Sequence, residues 1–238
     1  MQTLTTSELK WIRSLSQKKF RDAEGLFIVE GEKLVDEAVR SDFEIVRLCR
    51  RDEIGAEQMA RISQLSSPSP VLAVVRRRVH QAPRVPAGLC LGLDSVRDPG
   101  NLGTIIRLSD WFGIDMIYAS RDCVELYNPK VVQATMGAIF RKKVVYMDLE
   151  AVCRDFRAAG LPVFGTFLDG ESIYAKPLSP SGIVIMGNEA NGISPALEAL
   201  VDERLLIPSF TGGAPGAESL NVAIATAVTL SEFKRRSL

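Results

Sequence analysis

The sequence predicts two consecutive α/β domains, the second built on a parallel sheet. Three observations carry this. Apolar strand-like segments alternate with amphipathic helical segments along the chain, the pattern of layered helices and sheet. Strands in the second part are apolar throughout, as parallel strands covered on both faces are. Between the two parts, QAPRVPAG (81–88) interrupts the alternation with two prolines and a glycine. The expected domains are therefore 1–84 and 85–238.

In the first domain, 9–15 has helical spacing and LFIV (26–29) reads as a strand. The segment SQKKFRDAEG between them reads as polar, basic and mobile. EKLVDEAVRS is an amphipathic helix, EIVRLC a strand, AEQMARISQL a helix and VLAVV (71–75) a strand. In the second domain, strands are expected at LCLGLD, MIYAS, KVVYM, PVFGTF, IVIMG and RLLIPS. Helices are expected over 102–112, 129–140, 149–159 and 195–201, and a last one from Ser219 to about Arg236.

Composition excludes more than it identifies. The 238 residues are 46% hydrophobic and 24% charged, with 29 basic and 29 acidic side chains. That is an ordinary globular balance. No apolar run approaches the roughly 20 residues of a membrane span, and the start has no signal-peptide core, so a cytoplasmic protein is expected. Residues 1–88 carry an excess of +3 and the rest −3, which is weak evidence for a nucleic-acid partner. Cys49, Cys90, Cys123 and Cys153 form no CxxC pair, which argues against zinc or dithiol chemistry. The one histidine, His80, lies by the linker, away from the loops described next, so a Ser-His-Asp triad is not expected.

In parallel α/β sheets, ligands bind beyond the carboxyl ends of the strands. Three loops there stand out. SVRDPGNLGTIIR follows LCLGLD; its Asn101 reads as a helix cap, and Arg107 interrupts an apolar helical run. GNEANGIS follows IVIM and places Glu189 in a turn between Gly187 and Gly192. SFTGGAPGAESLN follows LLIP; its Gly212, Gly213 and Gly216 admit a close backbone approach, Pro215 stiffens it, and Ser219 reads as a helix cap. Neither a GxGxxG fingerprint nor a P-loop is present.

Taken in order, these three loops resemble the motifs of the SpoU (TrmH-like) branch of the SPOUT RNA methyltransferases. The strings are LDSVRDPGNLGTIIRLSDWFGI, IVIMGNEANGIS and LLIPSF…ESLNVAIATAV. KKFRDAEGLFIVEGEKLVDEAV resembles the ribosomal-protein-L30e-like domain that often precedes that catalytic domain. The family resemblance implies 2′-O-ribose methylation of structured RNA using S-adenosyl-L-methionine. It also implies a trefoil-knotted catalytic domain in a homodimer and no metal.

Carried over residue by residue, the resemblance makes Asn101, Arg107, Glu189, Ser219 and Asn221 the active site. It places Gly187, Ile207 and Leu220 on the cofactor, with Thr166 and Phe167 as a wall. Arg107 is either the proton acceptor or a phosphate clamp. Lys18, Lys19 and Arg21 are candidate RNA phosphate contacts. Ribosomal RNA is favoured over tRNA, the L30e-like domain pointing to a structured RNA. The alternatives are a tRNA 2′-O-methyltransferase and a non-catalytic RNA- or ribosome-binding protein of the same fold. The sequence departs from the family at Leu108–Phe112 and in the longer third loop.

Overall fold

The computed structural model describes residues 3–81, 85–211 and 217–237. Gly212, Gly213, Pro215 and Gly216 of the third loop lie outside the described residues, as does part of the predicted linker. The chain forms two compact units, Met1–Val79 with Glu125–Arg141, and His80–Val124 with Lys142–Leu238.

The first unit opens with α1 (Thr6–Ser14), started by a capping box. Thr5 Oγ1 accepts from Glu8 N at 3.2 Å while Glu8 Oε2 accepts from Thr5 N at 2.8 Å. The segment expected to be mobile is instead a short helix, α2 (Lys18–Glu24). It is held by Arg21, whose side chain is buried and bonds Glu125 and the carbonyls of Leu15 and Ser16. Then follow β1 (Leu26–Glu30), α3 (Glu32–Arg40), β2 (Ile45–Arg50), α4 (Arg51–Ile54), α5 (Ala56–Ile62) and β3 (Val71–Arg76). The three strands pair antiparallel in the order β1-β3-β2. Strand residues alternate between faces. Leu26 and Ile28 therefore join Leu9, Ile12, Met59, Ile62, Leu72 and Val74 in one apolar cluster, while Phe27 points the other way.

The second unit holds the predicted parallel sheet. Its elements are β4 (Leu89–Leu93), α6 (Pro99–Trp111), β5 (Ile117–Ala119), β6 (Val144–Tyr146), α8 (Leu149–Ala158), β7 (Val163–Ser172), β8 (Gly182–Met186), α9 (Pro195–Glu198), β9 (Glu203–Leu206) and α10 (Val222–Arg235). The strand order is β6-β5-β4-β8-β7-β9, and every pairing is parallel. The chain leaves β4 toward β5 and β6 on one side and later fills the other side, so the order reverses between β4 and β8. That reversal is where open α/β sheets place ligands. β7 runs further than expected, through a register break between Thr166 and Glu171.

The helix expected over 129–140 splits into α7 (Pro129–Thr135) and a 3₁₀ turn (Ala138–Phe140). Both fall in the first unit, although the sequence reading placed them in the second domain. Aromatic packing explains it. Phe27 lies 4.6 Å from Tyr127 and Phe43 lies 5.2 Å from Phe140, ring centre to ring centre. The outer face of the three-stranded sheet is closed by this segment, and geometries of this kind add about 0.5–1.5 kcal/mol per pair beyond burial.

Candidate active site

Two helix starts build the site. Asp98, not Asn101, caps α6: its Oδ1 accepts from Asn101 N at 2.8 Å, and Pro99 takes the first helical position. Asn101 therefore sits inside the first turn with its side chain free for other partners. Likewise Asn221, not Ser219, caps α10. Its Oδ1 accepts from Ala223 N at 3.0 Å and Ile224 N at 3.3 Å. Its Nδ2 donates to Asn101 Oδ1 at 2.9 Å. Asn101 Nδ2 in turn donates to Glu189 Oε1 at 2.5 Å. A continuous relay thus runs from the first amides of α10 through Asn221 and Asn101 to the Glu189 carboxylate, and it links the three predicted loops.

The loop carrying Glu189 is tied down by hydrogen bonds at both ends. Asn188 and Gly192 exchange two backbone hydrogen bonds of 2.9 Å. Gly192 has φ +67°, and a Cβ on Gly187 would lie 2.3 Å from the Gly192 carbonyl carbon. Only glycine fits position 187 without displacing backbone. Asn188 Oδ1 accepts from Ala190 N at 2.9 Å, while Nδ2 donates to Ser95 O at 2.7 Å and ties the loop to the end of β4. Asp94, which is buried, accepts from Ser194 N at 2.7 Å. The sequence reading did not single out Asp94, Ser95 or Asn188, although all three lie inside the quoted motif strings.

Ser95 has φ +56°, a conformation non-glycine residues rarely hold. It is fixed from three sides: its N–H donates to Ser120 Oγ at 2.9 Å, its hydroxyl to Asp122, and its carbonyl accepts from Asn188. The Ser120 and Ser95 hydroxyls, with Arg97, hold the Asp122 carboxyl down at about 2.

Arg107 lies six residues beyond Asn101, about 120° away round the helix. It is exposed, and among the described residues no hydrogen bond or ion pair engages its guanidinium. No hydrogen bond joins it to the relay. Ser219 and Leu220 are exposed just before the α10 cap, and Ile207 is half-buried immediately beyond the end of β9. Thr166 Oγ1 sits 3.5 Å from Ile185 O. The Phe167 ring lies beneath the Arg204 guanidinium, 3.6 Å from its carbon, and Arg204 is itself paired with Glu198 at 2.6 Å and with Asp169.

Of the three residues expected to touch RNA phosphates, Lys19 is exposed and Lys18 pairs with Asp22 and, at 3.6 Å, with Glu125. Arg21 is the correction: it is 2% exposed and its guanidinium serves the interior of the first unit, so it does not face an RNA backbone. The four cysteines are free and buried, and burial pushes the Cys90 and Cys153 thiols up to about 12. Among the described residues no group of acidic, His or Cys side chains is placed to hold a metal, and no helix is long and apolar enough to cross a membrane.

A parallel α/β sheet with a polar relay at the switch between β4 and β8, joined to an antiparallel module, defines a two-module α/β protein with a ligand site at its carboxyl edge. Residues 88–231 match the SpoU rRNA Methylase family and residues 6–81 match the MRM3-like substrate binding domain. The chain belongs to the SpoU rRNA methylase family. It is 29% identical over 250 residues to the 23S rRNA (guanosine(2553)-2′-O)-methyltransferase RlmP of Bacillus subtilis, with 98% of each chain covered. The AdoMet-bound rRNA methyltransferase of Sinorhizobium meliloti superposes with a TM-score of 0.88 at 31% identity, over 100% of this chain and 98% of that one. A TrmH-family protein from Porphyromonas gingivalis gives a TM-score of 0.88 at 37% identity, over 98% and 99% of the two chains.

Proposed function

We propose that this protein transfers a methyl group from S-adenosylmethionine to a ribose 2′-hydroxyl of structured RNA, ribosomal RNA in the first instance. The observation that carries the reading is the Asn221–Asn101–Glu189 relay joining the three family loops. Residues 1–84 would serve RNA recognition and 85–238 catalysis in the cytoplasm, the latter with a trefoil-knotted chain path.

The residues present suit the cofactor. The β7 register break frees 167–170 from the ladder, the Gly187–Gly192 turn folds its own backbone closely back on itself at the end of β8, and the chain leaves the sheet after Leu206. These are neutral donors and acceptors on adjacent strand ends, matched to adenine and ribose edges. Gly187, Ile207 and Leu220 would hold the cofactor largely through backbone, with Thr166 and Phe167 as a side wall. When bound, S-adenosylmethionine supplies an electrophilic methyl group.

The chain's own residues then have to align one hydroxyl and manage its proton. Alignment alone can contribute on the order of 7–11 kcal/mol in favourable systems. Arg107 supplies an exposed cation; because a guanidinium stays protonated in proteins, it acts by gripping the neighbouring phosphate and stabilising negative charge on the attacking oxygen. The relay fixes the Glu189 loop and the start of α10, and Ser219 would orient the ribose. Trp111 (85%) on α6 and Ile224 (53%) on α10 are exposed apolar side chains that a second copy would cover, in keeping with a homodimer.

The test uses RNA from a strain lacking this gene, separated into ribosomal and transfer fractions. Arg107→Ala should bind S-adenosylmethionine with wild-type affinity by calorimetry and lose methyl transfer by at least about 100-fold, the scale of losing one oxyanion contact. Wild-type rates in the variant would overturn the role of Arg107. A wild-type chain that binds RNA but not the cofactor would overturn the enzyme reading. Methylation confined to the tRNA fraction would overturn the choice of ribosomal RNA.

A further inference from the structure

We infer that Asp122 is a positioning residue of the methyl-transfer site, acting on the Glu189 turn through the backbone of Ser95 and the side chain of Asn188. The inference rests on the methyltransferase reading above and adds to it a residue that lies in none of the three family loops. All four residues belong to the second unit.

The chain must change direction where β4 ends. Asp94 N donates to Met186 O at 2.9 Å and still follows β8, while Val96 O already accepts from Val124 N at 3.0 Å. The turn therefore falls on Ser95 between them, at φ +56°. Glycine would take that φ freely, whereas a Cβ disfavours it. The residue standing there has a side chain, and that side chain is engaged: the Ser95 hydroxyl donates to Asp122.

The Asp122 carboxylate makes the arrangement determinate, because an ionised carboxylate only accepts hydrogen bonds. Its Oδ1 takes the Ser120 hydroxyl at 2.6 Å and its Oδ2 takes the Ser95 hydroxyl. With its proton committed, the Ser120 oxygen acts as an acceptor, and it receives Ser95 N at 2.9 Å. One carboxylate thus fixes both donors of Ser95, the hydroxyl directly and the N–H through Ser120. On the other side, Val96 N donates to Cys123 Sγ at 3.2 Å and holds the next peptide. Arg97 approaches Asp122 only to 3.5 Å and is exposed, so it adds little.

Held in this way, the Ser95 carbonyl meets Asn188 Nδ2 at 2.7 Å. The opposite end of that amide, Oδ1, accepts from Ala190 N at 2.9 Å and Asn191 N at 3.2 Å, just beyond Glu189. A rotated Ser95 carbonyl would release Asn188, and with it the turn that presents Glu189 to Asn101. A direct RNA contact does not suit Asp122, since a carboxylate repels phosphate.

The experiment compares the full chain with Asp122→Ala, Ser95→Ala, their double variant, and Asp122→Ala combined with Ser95→Gly. Asp122→Ala should lower kcat about tenfold, the loss of one aligned hydrogen bond, and leave the RNA KM unchanged. Ser95→Ala should do the same, and the two alanines together should cost no more than either alone, because they break one connection. Ser95→Gly in the Asp122→Ala background should regain most of the lost kcat, since glycine holds the turn without the carboxylate. The Asn188 side-chain amide signals should shift by NMR in Asp122→Ala and move back in that double variant. A lower thermal midpoint with kcat unchanged would make Asp122 merely structural and overturn the inference. A raised RNA KM at unchanged kcat, or no recovery with Ser95→Gly, would overturn it too. Absence of methyl transfer by the wild type would overturn the methyltransferase reading instead, and the amide signals would still decide whether Asp122 acts on Asn188.

Discussion

Asn221 Nδ2 donates to Asn101 Oδ1 at 2.9 Å across 120 residues of sequence. The direction of this bond is set by a helix start. Asn221 Oδ1 already accepts two amides of α10, so only the nitrogen end can face Asn101. Asn101 must then receive on its oxygen and donate from its nitrogen, and its donor meets the Glu189 carboxylate. Each amide orientation follows from the one before it. Chains of this kind strengthen their members mutually, and the N-terminal ends of α6 and α10 favour the negative charge at their end.

This separates two duties of Asn221. Serine caps helices nearly as well as asparagine but is too short to reach Asn101. Asn221→Ser should keep the thermal midpoint within a degree or two and reduce methyl transfer by about tenfold, the loss of one aligned hydrogen bond. Asn221→Ala should also lose about 1 kcal/mol of stability. Urea titration and a methyl-transfer assay on the same preparations make the comparison. Full activity in Asn221→Ser would show that the relay has no part in the reaction.

The three loops were legible because their residue types are unusual at strand ends: paired glycines, a turn glutamate, an arginine in an apolar helix. Which residue caps each helix was misread. Asp98 directly precedes Pro99, and a capping residue followed by proline at the first helical position is a local signal that the sequence does contain. The short helix Lys18–Glu24 was unreadable for a different reason. Its anchor is the Arg21–Glu125 pair, at 2.8 Å and 104 residues apart, and no local window contains both partners. The same long-range packing moved 125–141 to the first unit, since the match of Phe27 to Tyr127 has no periodic signature.

That packing also bears on how RNA binding is tested. Removing the first 80 residues would strip α7 and the Phe140 ring of their cover, so a truncation would report exposed apolar surface rather than RNA contacts. Point substitution of Lys19, which is exposed, is the cleaner probe of a phosphate contact.

Arg204 is expected to act on the cofactor through Phe167. Its guanidinium stacks at 3.6 Å on the ring, and Glu198 and Asp169 hold it in place. Arg204→Met keeps an aliphatic stem against the ring but removes the cation and the two ion pairs. A cation–π contact of this kind contributes about 0.5–1 kcal/mol at an exposed site. The Kd for S-adenosylmethionine should rise roughly two- to fivefold, with kcat at saturating cofactor unchanged. An unaltered Kd by calorimetry would mean that Phe167 needs no support from above or is not a wall of the site.

Acid should loosen the last turn of α10 in a defined window. The guanidinium of Arg235 beside Glu232, with Arg236 next to it, holds the Glu232 carboxyl at about 2 against an ordinary value of 4.5. A carboxyl depressed in the folded state stabilises the fold fully above 4.5 and loses that contribution as pH falls through about 2. Glu232 also orients Arg236, which bonds the carbonyls of Ile173 and Tyr174 at 2.8 Å and that of Lys176, tying the helix to the segment after β7. Glu232→Gln should therefore be less stable than wild type at pH 7, with the gap closing between pH 4.5 and 2. Asp122, also held at about 2, titrates in both proteins and cancels from the difference. Because Arg235 is largely exposed, salt should narrow the gap at pH 7 as well. Urea midpoints of the two proteins at pH 7, 4.5 and 3 measure it; a gap that stays constant with pH would show that the loss is one of packing and not of charge pairing.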